Sequence, residues 1–271
     1  MRLILSFNIT PIFYILHPVL IPFLHSLTAP LQRFLKILVA SSNENSNYLA
    51  VSTRPDIAFL VHQCARFSAN PKLIHERALK RIIRYLKGTK DKGTILSPDP
   101  SKGIVCYVDA DFAGGYSNKT KDDPISVYSR TGYVMMYFGC PLIWVSKLQS
   151  ERSLSTVEAE YVALSQAMRD VIPFLDQVKE MDKIFETESP KMEMHCTLFE
   201  DNNGALELAM KPRYRPRTKH IAIKYHHFRE HVTRGMVSVK PIDTTEQLAD
   251  QFTKGLQQGT FEYLRSKLLG W

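Results

Sequence analysis

Glu160 is the acidic residue in this chain whose position most needs an explanation. Ser155 precedes Glu158 by three residues, the spacing of a capping box in which the hydroxyl takes the Glu158 N–H and the Glu158 carboxylate reaches back to Ser155. A helix is expected to start there. Steps of three and four from Glu160 reach Ala163, Leu164, Ala167, Met168 and Val171, an apolar stripe that should face a core. Glu160 therefore opens the buried face, where a carboxylate is costly unless cations or hydrogen bonds compensate it. Other carboxylates sit where they could share a cation with it. Asp109 ends the apolar run Ile104 to Val108, and period two puts Asp111 on the same side. Asp201 follows the run His195 to Glu200, where Asn202-Asn203-Gly204 should turn a strand into a helix, and Asp250 lies in a short helix near the C-terminus. Singly these have bland roles: Asp201 as an N-cap, Asp250 as a surface residue, Asp111 as a turn former. Together they make an all-oxygen set, which suits hard divalent cations such as Mg²⁺. Two such ions can clamp the attacking and leaving oxygens of a phosphodiester.

Bringing these positions together requires strand ends that meet a helix start. Periodicity predicts strands at about 103–110, 132–138 and 142–147, and a helix over 156–171 that Pro173 should kink or end, with a further helical stretch beyond. A strand at 195–200, helices at 203–210 and 222–234, a strand at 236–241 and a helix at 246–254 follow. Gly132 to Phe138 and Leu142 to Ser146, joined through Gly139-Cys140-Pro141, read as a hairpin. Strands followed by alternating helices and strands give an α/β chain with a mixed sheet covered by helices. Upstream, Pro55 to Phe67 and Pro71 to Leu86 have helical spacing and should pack as a pair, after a polar linker at 41–46. Pro98-Asp99-Pro100-Ser101 is the expected domain boundary.

Bulk properties narrow the function classes. At 271 residues and 44% hydrophobic the chain can build a real core, which excludes a disordered chain, and its net charge of +8 hints at a polyanionic partner. Lys211 to Lys240 carries nine Lys or Arg against one Glu, a surplus equal to that net charge, and Lys72 to Lys92 carries eight basic residues against two acidic. The cysteines at 64, 106, 140 and 196 form no Cys-x-x-Cys pair, so reduced core thiols are expected rather than disulfides or a zinc site. His220, His226, His227 and His231 scatter around a helix and lack paired cysteines, which argues against zinc. No Gly-x-Ser-x-Gly elbow supports a nucleophilic triad. From Leu3 to Gln32 there is no Lys, Arg, Asp or Glu, but Pro11, Pro18, Pro22 and Pro30 interrupt the run and no cleavage site is clear; a membrane anchor in 1–40 is not expected.

The motifs follow one another in a familiar order. Tyr107 to Gly114, Ser129-Arg130-Thr131-Gly132-Tyr133, Trp144-Val145-Ser146-Lys147, Leu154 to Leu164, Glu200-Asp201-Asn202, Arg217-Thr218-Lys219-His220-Ile221 and Gln247-Leu248-Ala249-Asp250 resemble the ribonuclease H domain of copia-type LTR-retrotransposon Pol polyproteins. Tyr48-Leu49-Ala50, Thr53 to Ile57 and Arg84 to Thr89 extend the resemblance upstream, so that it covers about residues 47 to 271. Phe112 stands where the family often has Trp, and Val157 where it usually has Thr.

The resemblance implies a ribonuclease H-like mixed five-stranded sheet flanked by helices over 98–271. A small helical remnant of the polymerase connection would precede it over 47–97, with 1–40 an apolar segment of separate origin. By carry-over, Asp109, Glu160, Asp201 and Asp250 are the catalytic carboxylates and metal ligands, with Asp111 supporting them; the cofactor is a pair of Mg²⁺ ions, with Mn²⁺ the alternative. Arg213, Arg215, Arg217, Lys219 and His220, together with Arg81, Arg84 and Lys87, are expected to contact an RNA–DNA hybrid. The paired-aspartate motif of a polymerase palm does not occur, so a truncated element is expected, with any polymerase partner supplied in trans. The implied activity is cleavage of the RNA strand during reverse transcription, in the cytoplasm, a virus-like particle or the nucleus. Two other readings stay open: an inactive relic that only binds nucleic acid, and a membrane-attached protein of unrelated role.

Overall fold

The computed structural model describes residues 3–5, 46–185, 195–210 and 229–271. These fall into two compact units, Ser97–Leu268 and Met1–Leu96 with Leu269–Trp271.

The larger unit is built on strands β3 (Ile104–Asp111), β4 (Arg130–Tyr137) and β5 (Cys140–Leu148), an antiparallel meander. Strand β6 (Cys196–Glu200) lies parallel to β3, and β7 (Val237–Pro241) parallel to β6, so the sheet runs β5-β4-β3-β6-β7. This is the ribonuclease H-like mixed sheet of five strands flanked by helices. Helix α3 (Thr156–Phe185) covers one face: Ala159, Ala163, Ala167 and Val171 pack with Ile104, Cys106, Val108 and Ala110, the alternate residues of β3. The α3–sheet layer is the core of this unit. Helices α4 (Asn203–Met210) and α5 (Arg229–Thr233) add to it, the former through Ala205, Leu206 and Ala209.

Of the two outcomes expected at Pro173, ending the helix does not occur: α3 runs through it from Thr156 to Phe185, and the helical stretch expected beyond the proline is part of the same helix. Pro173 is exposed, whereas Val171 and Leu175 on either side are fully buried. One lost hydrogen bond on the outer face, a penalty of ~3 kcal/mol, is offset by burial of the stripe that continues past it. The capping box also differs: Ser155 Oγ accepts the Glu158 N–H at 3.2 Å, but Glu158 Oε2 takes the Leu154 N–H at 2.7 Å rather than that of Ser155.

Near the C-terminus a 3-10 turn, Thr244–Glu246, and a single helical turn, α6 (Asp250–Thr253), replace the continuous helix expected over 246–254. Gln247 explains the break. Its buried side chain leaves the helical path and its Nε2 donates to Val108 O at 2.8 Å and Phe199 O at 3.4 Å, just where the β3–β6 pairing stops at Tyr107 and Phe199. Helix α7 (Gln258–Leu269), residues 46–52, which are helical, and strand β2 (Thr94–Leu96) were not anticipated from periodicity. Of the helix expected over 222–234, only the part from 229 lies within the described residues.

The smaller unit contains a 3-10 turn Pro55–Ile57, helix α1 (Ala58–Ala65) and helix α2 (Leu73–Gly88), and β2 pairs antiparallel with β1 (Leu3–Leu5). Its polar centre is Arg54, which forks onto Asp56 at 2.9 and 2.8 Å, donates to Thr89 Oγ1 at 2.8 Å and stacks over the Tyr85 and Trp271 rings. Tyr85 donates to the same Asp56 carboxylate at 2.6 Å. The four cysteines are free thiols, but Cys140 is only partly buried, which corrects its assignment to the core. Among the described residues no helix is long and apolar enough to cross a membrane.

Candidate active site

Strand β3 delivers Asp109 and α3 delivers Glu160, both buried, while Asp201 follows β6 and is half-buried. One carboxylate oxygen from each of the three lies within 4.8 Å of the others. Asp250, from α6, is buried and close enough for its charge to act on Asp109, but it falls outside that tight triplet. Its Oδ1 is paired with Lys254 Nζ at 2.8 Å, one helical turn on. The four sequence-predicted carboxylates thus meet at one end of the sheet, where β3 and β6 finish and α3 begins. In open α/β sheets this is the end at which ligands bind.

Local structure explains the convergence. Gly132 lies directly across from Asp109 in the β3–β4 ladder, and a Cβ there would meet Thr253 Cγ2 at 2.6 Å and Phe252 Cβ at 2.8 Å. The bare glycine lets α6 lie close to the sheet. Ser146 Oγ, itself taking a hydrogen bond from Arg130, donates to Phe252 O at 2.6 Å and holds that turn down. Thr253 Oγ1 donates to Asp109 Oδ2. Thr244 Oγ1 donates to Asp201 Oδ2 at 2.8 Å, and Asn202 Oδ1 caps α4 by accepting the Gly204 and Ala205 N–H groups. Gln149 Nε2 donates to Ala159 O at 2.8 Å, anchoring the first turn of α3 and so the position of Glu160.

Glu200 is a fifth carboxylate at the site, and sequence reasoning passed over it. Fully buried, it accepts the Asn202 N–H at 3.1 Å through Oε1. The signal was present: period two along β6 places Glu200 on the same inward face as Cys196 and Leu198. Asp111 is half-buried, with its carboxylate against the Gly114 backbone and within the field of Arg130 and Lys254, at the edge of the cluster.

Crowding of these acids raises their proton affinities. Burial pushes the Asp109 carboxyl up to about 7, Lys254 opposing the shift and Asp250 and Asp201 adding to it. Burial likewise raises Glu160, with Glu200, Asp109 and Asp201 pushing the same way and the Ala110 N–H pulling back. Glu200 is raised by burial, against its Asn202 N–H bond and with the charges of Asp109 and Asp201. Asp250 is raised by burial and restrained by Lys254. Such a set is short of positive charge.

The predicted nucleic-acid contacts divide. Arg81, Arg84 and Lys87 are exposed along one side of α2 in the smaller unit, with Arg77 continuing the row. Arg213, Arg215, Arg217, Lys219 and His220 lie outside the described residues.

Comparison with known proteins names the lineage. No protein-family profile matches the chain. It is 36% identical over 236 residues to the retrovirus-related Pol polyprotein from transposon TNT 1-94 of Nicotiana tabacum, across 87% of its own length. It is also 36% identical over 221 residues to that from transposon RE1 of Arabidopsis thaliana, across 82% of its length. The chain belongs to the retrovirus-related Pol polyproteins of copia-type transposons. It spans 16% and 14% of the length of those two Pol relatives. Among solved structures, a ribonuclease H1 isolated from compost by a metagenomic approach is similar with a TM-score of 0.39 and 18% identity, covering 56% of this chain and 92% of that one. Within the Pol family the motifs quoted above now have positions: Gly132 and Ser146 seat α6, and Gln247 joins β3 to β6.

Proposed function

We propose that the 97–268 unit is an endoribonuclease of the ribonuclease H type, which hydrolyses the RNA strand of an RNA–DNA hybrid as one step of retrotransposon reverse transcription. The observation that supports this reading is the convergence of Asp109, Glu160 and Asp201 oxygens within 4.8 Å at the carboxyl end of β3.

The residues present fit divalent cations. All donors are oxygens, and the buried Glu160 Oε2 and Glu200 Oε2 have no hydrogen-bond partner among the described residues. Asp109, Glu160 and Asp201 would hold one ion, and Asp109 with Asp250 a second. Mg²⁺, or Mn²⁺, bound there would supply a water of lowered pKa and charge neutralisation at the attacking and leaving oxygens. The protein's own contribution is placement. Thr253 fixes Asp109, Gln149 anchors the helical turn that carries Glu160, and Thr244 fixes Asp201, so the acids are preorganised rather than recruited on binding.

Exposed Arg81, Arg84 and Lys87, with Arg213, Arg215, Arg217, Lys219 and His220, would grip phosphates without reading sequence. Contacts to 2′-hydroxyls would distinguish the RNA strand. A reverse transcriptase polymerase acting in trans would supply the hybrid. The test is incubation of purified protein with a labelled hybrid and Mg²⁺, expecting cleavage of the RNA strand alone. Cleavage no greater than that of an Asp109→Asn control would overturn the reading, and hybrid binding without cleavage would select the inactive relic.

A further inference from the structure

Among the described residues Lys254 is a basic side chain ion-paired within the acidic cluster, and the proposed mechanism gives it no role. Its Nζ lies 2.8 Å from Asp250 Oδ1, its field also takes in Asp109 and Asp201, and its side chain is 40% exposed while that of Asp250 is 6% exposed. The stem therefore runs from solvent inward and ends at the one predicted ligand that stands outside the Asp109–Glu160–Asp201 triplet. A short turn makes the arrangement rigid at one end: α6 is four residues long, pinned by Thr253 on Asp109 and by Ser146 on the Phe252 carbonyl. Asp250 is thus fixed, whereas Lys254, whose N–H closes the turn onto Asp250 O, carries its ammonium on a flexible, partly exposed stem.

We infer that Lys254 is a tethered cation that holds the charge position of the second divalent ion, so that the resting protein takes one ion tightly at the triplet. Asp250 becomes available to a second ion when the ammonium moves out to a phosphate of the bound strand. The inference rests on the proposed nuclease reading and deepens it. An ammonium and a divalent cation cannot share Asp250 at contact distance without strong mutual repulsion. Moving the ammonium onto a phosphate removes that repulsion and adds a charge-assisted hydrogen bond to the ligand. Lys suits such an exchange because its ammonium is a compact point charge on a flexible stem, whereas the planar Arg fork holds a carboxylate more firmly.

The test is calorimetric titration of the full chain with Mn²⁺ at neutral pH, in the absence of nucleic acid. Wild-type protein is expected to bind one ion tightly and a second weakly. Lys254→Met should tighten the second site about tenfold or more, the least that removing a unit charge at contact distance should do, and Lys254→Arg should leave it weak. A second readout guards against a merely structural role. Metal-free Lys254→Met should melt lower than wild type because Asp250 is left uncompensated, and saturating Mn²⁺ should restore most of the loss. A second site no tighter in Lys254→Met, or a lost midpoint that Mn²⁺ does not restore, overturns the inference while leaving the nuclease reading in place. Failure of both proteins to bind any ion overturns the two together.

Discussion

Asp109 and Gly132 face each other across the β3–β4 ladder, and the missing side chain of the glycine is what lets α6 reach the strand that carries the aspartate. A Cβ at 132 would also stand 3.0 Å from Ala249 O, so the crowding involves backbone that cannot rotate away. Gly132→Val is therefore expected to push α6 outward, destabilise the fold by roughly 1–3 kcal/mol, and separate Asp250 from Asp109. Chemical denaturation gives the first effect and weakened Mn²⁺ binding the second. A valine variant with unchanged ion affinity would show that α6 does not depend on this close approach.

The raised carboxyls make metal-free stability depend on pH in a defined direction. Asp109 has an ordinary value of 3.8 and is pushed up to about 7 in the fold, so between those values the folded chain holds more proton than the unfolded one. Stability from this group is fully present below the lower value and is lost as pH rises through the upper one. Without metal, the thermal midpoint of wild type should fall between about pH 4 and pH 7 more than that of Asp109→Asn. Added Mg²⁺ should flatten the wild-type curve. Parallel curves for the two proteins would show that Asp109 is not the titrating group.

In the smaller unit, Arg54→Ala leaves the Asp56 carboxylate buried with its guanidinium partner removed. Breaking a buried pair on one side costs about 3–5 kcal/mol, so amide protection in α1 and α2 should drop sharply. Hydrogen exchange read by mass spectrometry follows it segment by segment. Protection unchanged in both helices would mean that Tyr85 and Thr89 support Asp56 without the arginine.

The exposed row on α2 predicts a salt effect. If Arg81 and Arg84 each contact a phosphate, changing both to alanine should lower the slope of log affinity for a hybrid against log salt by about two, near one per contact. The melting temperature should not change, because both side chains point into solvent. An unaltered slope would remove this face from the binding surface.

How much of this was legible follows from the range of the forces involved. Strand and helix periods depend on neighbours a few residues away, which is why β3, β6 and α4 lie where alternation and spacing put them. Pro173 misled because its penalty is local while the burial of Val171 and Leu175 is tertiary. The four carboxylates could be chosen because a buried acid at the head of an apolar stripe is costly alone. Their order along the chain then matched a known family. Glu200 was missed because its neighbour Asp201 filled the motif, and Lys254 because its pairing with Asp250 depends on the single helical turn that replaces the longer helix expected there. The break in the 246–254 helix could not be read at all. It depends on the Gln247 amide finding carbonyls on two strands far away in sequence.

That Gln247 amide shapes the electric landscape of the site. By occupying the gap between the ends of β3 and β6 with a fully buried side chain, it puts protein where a solvent-filled cleft would otherwise lie beneath the acids. Charge on the acids is therefore poorly shielded on that side, and it repels any polyanion that arrives unaccompanied. Cation uptake and strand uptake must then be thermodynamically linked, each tightening the other by the same factor. Hybrid affinity should climb as divalent ion is added, even in a variant that cannot cleave.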